Sequence, residues 1–150
     1  MKVTLLLADA AQAVNGKLYV LGGGWSLTGP DPSAMALAVK IEVPWDRANI
    51  KHRWRIELLD EDGVPIEMAS APGGGSQPLR IEGEFEAGRP PGLKPGTPLD
   101  VALALNLAPV PLPPGGRFVW RLAIDGWDED WQTAFSTRAT PTPQQPASPR

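Results

Sequence analysis

Residues Arg117 to Phe135 read RFVWRLAIDGWDEDWQTAF, and this stretch decides the fold class. Phe118, Trp120, Leu122 and Ile124 recur at period two, with Arg117, Arg121 and Asp125 on the other phase, which is the pattern of a strand buried on one face. Asp125-Gly126 supplies a turn. Trp131, Thr133 and Phe135 then resume the alternation on a return strand, so the hairpin lays Phe118, Trp120, Trp131 and Phe135 against whatever covers it.

The same period recurs along the rest of the chain. Leu99, Val101, Leu103, Leu105 and Leu107 form an apolar stripe opposite Asp100, Ala102, Ala104 and Asn106, small residues that suit a sheet face covered by a neighbour. Leu79, Ile81 and Phe85 alternate with Arg80, Glu82, Glu84 and Glu86. His52, Trp54, Ile56 and Leu58 alternate with Arg53, Arg55 and Glu57, and Asp60-Glu61-Asp62-Gly63 connects them to Val64 to Met68 as a second hairpin. Met35, Leu37, Val39, Ile41 and Val43 face away from Lys40 and Glu42 until Pro44, which lacks an amide hydrogen, ends the strand. Val3, Leu5 and Leu7 mark a first strand. Ala8 to Val14 has helical composition for one or two turns, Asn15-Gly16 tolerates positive φ at both positions and turns the chain, and Lys17 to Leu21 follows as a strand ended by Gly22, Gly23 and Gly24.

Ala69 to Pro78 reads as a mobile glycine-rich loop. Gly88 to Pro98 differs, because its four prolines fix φ and make it stiff. Residues 139–150 contain no large apolar side chain to offset an ordering cost of about 1–2 kcal/mol per residue, so a disordered tail is expected after a domain spanning 1–138. About eight or nine short strands without a long helical period predict an all-β, two-sheet antiparallel sandwich, Ig-like or jelly-roll-like.

Composition narrows the function classes. A chain of 150 residues buries roughly 68–70% of its unfolded surface without metals or disulfides. The absence of cysteine removes disulfides, thiolate zinc sites and cysteine nucleophiles together, and suits a reducing cytoplasm. The apolar run after Met1-Lys2 stops at Asp9, short of an export signal, and no stretch approaches a membrane span, so a soluble cytoplasmic protein is expected. The 14 basic and 17 acidic residues are spread without blocks, which argues against nucleic-acid and membrane partners.

The stretches KVTLLLADAAQAVNGKLYVLGGGW (2–25), AVKIEVPWD (38–46), IEGEFEAGRPPGLKPGTPLDVALALNL (81–107) and PPGGRFVWRLAIDG (113–126) resemble a bacterial family of small β-rich proteins, a domain of unknown function. The resemblance covers nearly everything but the tail. It implies a compact bacterial protein and carries no activity, cofactor or catalytic residue.

Candidate constellations are few. His52 is the single histidine, in phase with Trp54 and Ile56, which reads as a core position and leaves no GxSxG nucleophile or multi-histidine metal site beside it. Gly22-Gly23-Gly24 precedes no helix and no GK[ST], so it reads as a bulge or a close crossing of chains near Trp25. The acidic turns Asp60 to Asp62 and Asp125 to Asp130 would hold calcium only if they met at one end of the sandwich. Glu82, Glu84 and Glu86 could in principle serve glycoside hydrolysis, but a solvated face paired with Arg53, Arg55 or Arg121 accounts for them better.

Six tryptophans are the most informative excess. Trp54, Trp120 and Trp131 fit core phases, whereas Trp25, Trp45 and Trp127 sit at strand ends or turns, as lids or contact residues. With Arg89 and Lys94 on the stiff loop they nominate a binding surface. The expectation is a non-enzymatic protein-binding or self-assembling module with no cofactor, metal or catalytic residue. The alternatives are a sandwich that stacks carbohydrate or another small ligand on its loop tryptophans, and a calcium-binding sandwich.

Overall fold

The computed structural model describes residues 1–144. Twelve strands occur among them: β1 (Lys2–Ala8), β2 (Ala10–Val14), β3 (Lys17–Leu21), β4 (Leu27–Thr28), β5 (Met35–Val43), β6 (Lys51–Asp60), β7 (Glu67–Ala69), β8 (Ser76–Pro78), β9 (Arg80–Glu86), β10 (Leu99–Leu107), β11 (Arg117–Ile124) and β12 (Asp130–Thr137), with one 3-10 turn at Trp45–Arg47. The count exceeds the expected eight or nine because β2, β4 and β8 lie in segments read from sequence as helix or loop. No helix among the described residues is long and apolar enough to cross a membrane.

Two sheets face each other. One has three strands in the order β1-β5-β10, the other five in the order β4-β12-β11-β6-β9, and all the pairings are antiparallel except the two-residue contact of β4 with β12. Period-two alternation turns Leu7, Leu37, Val39, Ile41 and Leu99 of the first sheet toward Trp54, Ile56, Leu58, Phe118, Trp120, Leu122, Ile124 and Phe135 of the second, giving one continuous core. The hairpin Arg117 to Phe135 sits at its centre, with Trp120 and Phe135 fully buried. Trp131 is only partly buried at the margin.

Gly83 shows how closely neighbouring strands of the five-stranded sheet are fitted. It faces Trp54 in the β6–β9 register, and a Cβ there would lie 2.6 Å from the Trp54 ring, so the indole fills the space that a side chain would need.

The segment Ala8 to Val14 corrects the sequence reading. Ala8 ends β1, Asp9 is a bend and Ala10–Val14 is the strand β2, not a helix, and β2 with β3 forms a hairpin across the outer face of the first sheet. Ala8, Ala11, Ala36 and Ala38 make a second small core there, with Leu18 and Ala104 against it. Five residues are too few to nucleate a helix in water. Here Asn15 and Gly16, at φ 50 and 73, form the hairpin turn, and the small side chains let the backbones approach. Asn106 then pins the hairpin, accepting from the Ala11 amide at 3.1 Å and donating to the Ala11 carbonyl at 2.8 Å. The small residues of β10 are indeed a covered face.

One further segment differs from expectation. The expected hairpin of β6 with Val64 to Met68 is reduced to a bridge between Leu59 and Pro65, and β7 pairs instead with β8 across the glycine-rich loop. In the tail, residues 139–144 are exposed and outside any strand, and the expectation for 145–150 falls outside the described residues.

Replacing Asn106 by Ala leaves the Ala11 amide and carbonyl without partners, at a cost of about 1–3 kcal/mol. Amide hydrogen exchange should show β2 and β3 losing protection before the core strands. Unchanged protection in that hairpin would refute the pinning role.

Candidate functional site

Strand register gathers most of the nominated residues at one end of the sandwich. Lys2 pairs with Glu42, Leu99 with Val43 and Lys51 with Glu86, while Ile124 pairs with Trp54, so the connections 44–50, 87–98 and 125–129 emerge together. The Asn49 amide donates to the Ala87 carbonyl at 2.8 Å and ties the first two.

Within this end, Arg89 fixes Trp45 twice. Its Nη2 donates to the Trp45 carbonyl at 2.7 Å, and its guanidinium carbon stands 4.5 Å from the centre of the Trp45 ring. A second cation–aromatic pair lies beside it, with the Arg47 guanidinium 5.9 Å from the Trp127 ring centre. Lys94 is exposed on the same proline-rich loop, where its carbonyl accepts from Thr97 at 2.7 Å. Pro44, Trp45, Pro98 and Met1, with Lys2, Glu42 and Asp46 at the margin, line a shallow recess of about 580 Å³.

Trp25 does not join them. It packs edge-on against Phe135 with ring centres 6.0 Å apart, and Phe135 pairs with Phe118 at the opposite end, where β6 finishes. The glycines before it serve a close crossing: the Gly24 amide donates to the Leu7 carbonyl at 2.7 Å, and a Cβ on Gly23 would lie 2.7 Å from Val20. Trp25 is therefore a lid on the core, with its indole Nε1 buried and unpaired in the protein.

Arg47 was missed from sequence, since nothing in its local pattern announces that it will reach Trp127. Glu57 was missed as well, and its phase with Arg53 and Arg55 is the signal that could have found it. Across β6 and β9 every outward pair joins opposite charges: Lys51 with Glu86, Arg53 with Glu84, Arg55 with Glu82 and Glu57 with Arg80. The last pair is buried at the carboxylate. Arg121 of β11 donates to Glu57 Oε1 at 2.6 Å, and Arg80 reaches Oε2 at 3.5 Å. Burial pushes the Glu57 carboxyl up, but the Arg121 hydrogen bond and the positive charges of Arg121, Arg55 and Arg80 outweigh it, so the group ionises below the usual glutamate range.

Other sequence readings resolve in the same way. His52 is buried, stacked on Phe85 at 5.1 Å, with Nε2 3.3 Å from the Arg47 carbonyl. Glu82, Glu84 and Glu86 each face a basic residue across the strand pair, and Glu82 and Glu84 line a recess of about 400 Å³ together with Arg53, Arg55 and Asp125. The premise of the calcium reading fails. Asp60 pairs with Phe118 and Ile124 with Trp54, so the turns 60–62 and 125–130 lie at opposite ends of the same strands. Asp60 Oδ1 instead accepts from the Asp62 and Val64 amides, each at 2.9 Å, as a local turn clamp. Among the described residues no cluster of three acidic or histidine side chains is placed to hold a metal ion.

A family model described as a family of unknown function (DUF6941) matches residues 3–135. The chain belongs to that family. The match runs from β1 into β12 and so takes in both sheets and the loop end. No curated protein and no solved structure matches the chain.

Glu57 supplies a pH-dependent test of the sheet that carries the loop end. Its folded carboxyl ionises at lower pH than an unfolded glutamate, so its stabilisation is complete above the unfolded range and drains away as pH falls through the folded value. Glu57→Gln should cost about 1–3 kcal/mol near neutral pH, and the gap from wild type should narrow at an acid pH below the ordinary glutamate range. Thermal unfolding at both pH values checks the pattern; a gap independent of pH would show that charge is not its source.

Proposed function

We propose that this chain is a non-enzymatic protein-binding or assembly module of the bacterial cytoplasm, and that it meets its partner through the end carrying Trp45, Arg89, Lys94 and Trp127. The observation that carries the reading is the fixation of Arg89 and Trp45 on one another, through a carbonyl and a ring face, between a proline-stiffened loop and a 3-10 turn. Trp and Arg are the residues that most often dominate protein interfaces, and groups already ordered before contact lose little entropy when they bind. Lack of cysteine agrees with the cytoplasm. The burial of the single histidine under Phe85 leaves it poorly placed as a general base, which favours binding over catalysis.

A second reading, recognition of a carbohydrate or another small ligand, draws on the recess beside Trp45, since about 580 Å³ falls in the range of small-molecule sites. It is the weaker of the two, because Arg89 already occupies one face of the Trp45 ring and Arg47 lies over the Trp127 ring. A tryptophan emission that stays flat across a glycan panel would remove it.

Trp45→Ala and Arg89→Ala, each confirmed as folded, should weaken capture of the partner that wild type retains from native extract. A hot-spot loss of about 2 kcal/mol corresponds to roughly thirtyfold in affinity. Undiminished capture by both variants would overturn the assignment of this end.

A further inference from the structure

Among the described residues the sandwich has one long strand edge whose backbone groups nothing bonds, although the β2–β3 hairpin packs over the outer face of that strand. β10 spans nine residues, pairs with β5 along its whole length without a bulge, and none of its backbone groups is bonded to any other segment among the described residues. Other edges carry the devices that discourage pairing. β12 is capped by β4 over Ser136 and Thr137. β1 lies against β12, and its Leu7 carbonyl is taken by Gly24. β9 presents Glu82, Glu84 and Glu86, so two copies of that edge placed antiparallel would oppose like charges. β10 has no proline, no lysine and a single charged residue, Asp100.

Its sequence is also complementary to itself. Laid antiparallel about Leu103, two copies of LDVALALNL set Leu99 against Leu107, Val101 against Leu105 and Leu103 against itself on the core side. On the outer side Ala102 meets Ala104, and Asp100 meets the amide of Asn106, so no like charges are opposed. A two-fold axis normal to the sheet can pass between either kind of residue pair in an antiparallel ladder, so this register needs no distortion.

We infer that β10 is a homodimer edge, pairing with β10 of a second copy about Leu103 to join the two three-stranded sheets into one six-stranded sheet. The edge adjoins further apolar surface at Asn106. There Ala11, Gln12, Tyr19 and Leu21 line a recess of about 600 Å³, with Tyr19 57% and Leu21 69% exposed, which extends the contact beyond backbone pairing. The dimer edge runs along the side of the sandwich, whereas Trp45, Arg89 and Trp127 lie on connections at one end, so the two proposals rest on different residues.

The test uses the full chain. Light scattering across a wide concentration range should give twice the chain mass. Ala102→Glu should return it to monomer at those concentrations, because the two new carboxylates become diagonal neighbours across the axis while each gains Lys40 opposite it within its own fold. A single cysteine gives an independent readout, since the chain contains none. Leu103→Cys on the axis should cross-link under mild oxidation, as facing Cα atoms about 4.5–5.5 Å apart match disulfide geometry. Asp100→Cys should not, because its own copy would lie about 20 Å along the ladder. A folded monomer at every concentration, a dimer indifferent to Ala102→Glu, or equal cross-linking at 100 and 103 would each overturn the proposal.

Discussion

Every side chain of the five-stranded sheet takes its face from the register that sets Trp120 opposite Leu58. Both are fully buried, and Leu122 against Ile56 and Ile124 against Trp54 continue the same inner row. A slip of one residue would turn this row to solvent and bring Arg121 and Glu57 into the core. The cost of that exchange is large on both sides, since apolar burial is lost and charges lose water. The register is therefore fixed by the core before any surface pair forms.

The charges on the outer face follow from that constraint. With the inner row fixed, Arg121 falls beside Glu57 and the β9 carboxylates fall beside the β6 bases. Most of these pairs are solvated and contribute little individually. Glu57 differs because its side chain is only 5% exposed, while both arginines that hold it keep contact with water. Removing one partner there strands a buried charge, whereas breaking Arg53 from Glu84 returns both groups to solvent. One sheet thus carries a ladder that mainly disfavours wrong pairings and a single cluster that contributes to stability.

Alternation made the sheets legible. Phe118 to Ile124, Met35 to Val43 and Leu99 to Leu107 repeat at period two for long enough that no helix competes, and Asn15-Gly16 names its own turn. Ala8 to Val14 misled because alanine carries no amphipathic signal, and the residues that make it a strand, Asn106, Ala36 and Ala38, lie far away in sequence. The same limit applies to the loop end. Trp45, Arg89 and Trp127 could be nominated from composition and position, but the stacking of Arg89 on Trp45 depends on two connections, far apart in sequence, that the packing of the two sheets brings together. Trp25 looked equivalent to them in sequence and lies at the other end, because chain position before a strand does not specify which end of the sandwich it reaches.

The two proposed surfaces divide along a physical line. Recognition at the loop end depends on side chains, which tolerate substitution in the strands behind them and allow specificity to change by changing the turns. Pairing at β10 depends on backbone groups, which every sequence possesses, so specificity there must come from what the neighbouring edges forbid. The row of glutamates on β9 and the cap of β4 on β12 are such prohibitions, and β10 lacks them although it is as long as β5, the central strand. An unprotected edge of that length is an aggregation hazard unless it is occupied. Closed two-fold pairing removes the hazard completely, because an edge used once by a second copy of itself leaves no free edge of the same kind to propagate.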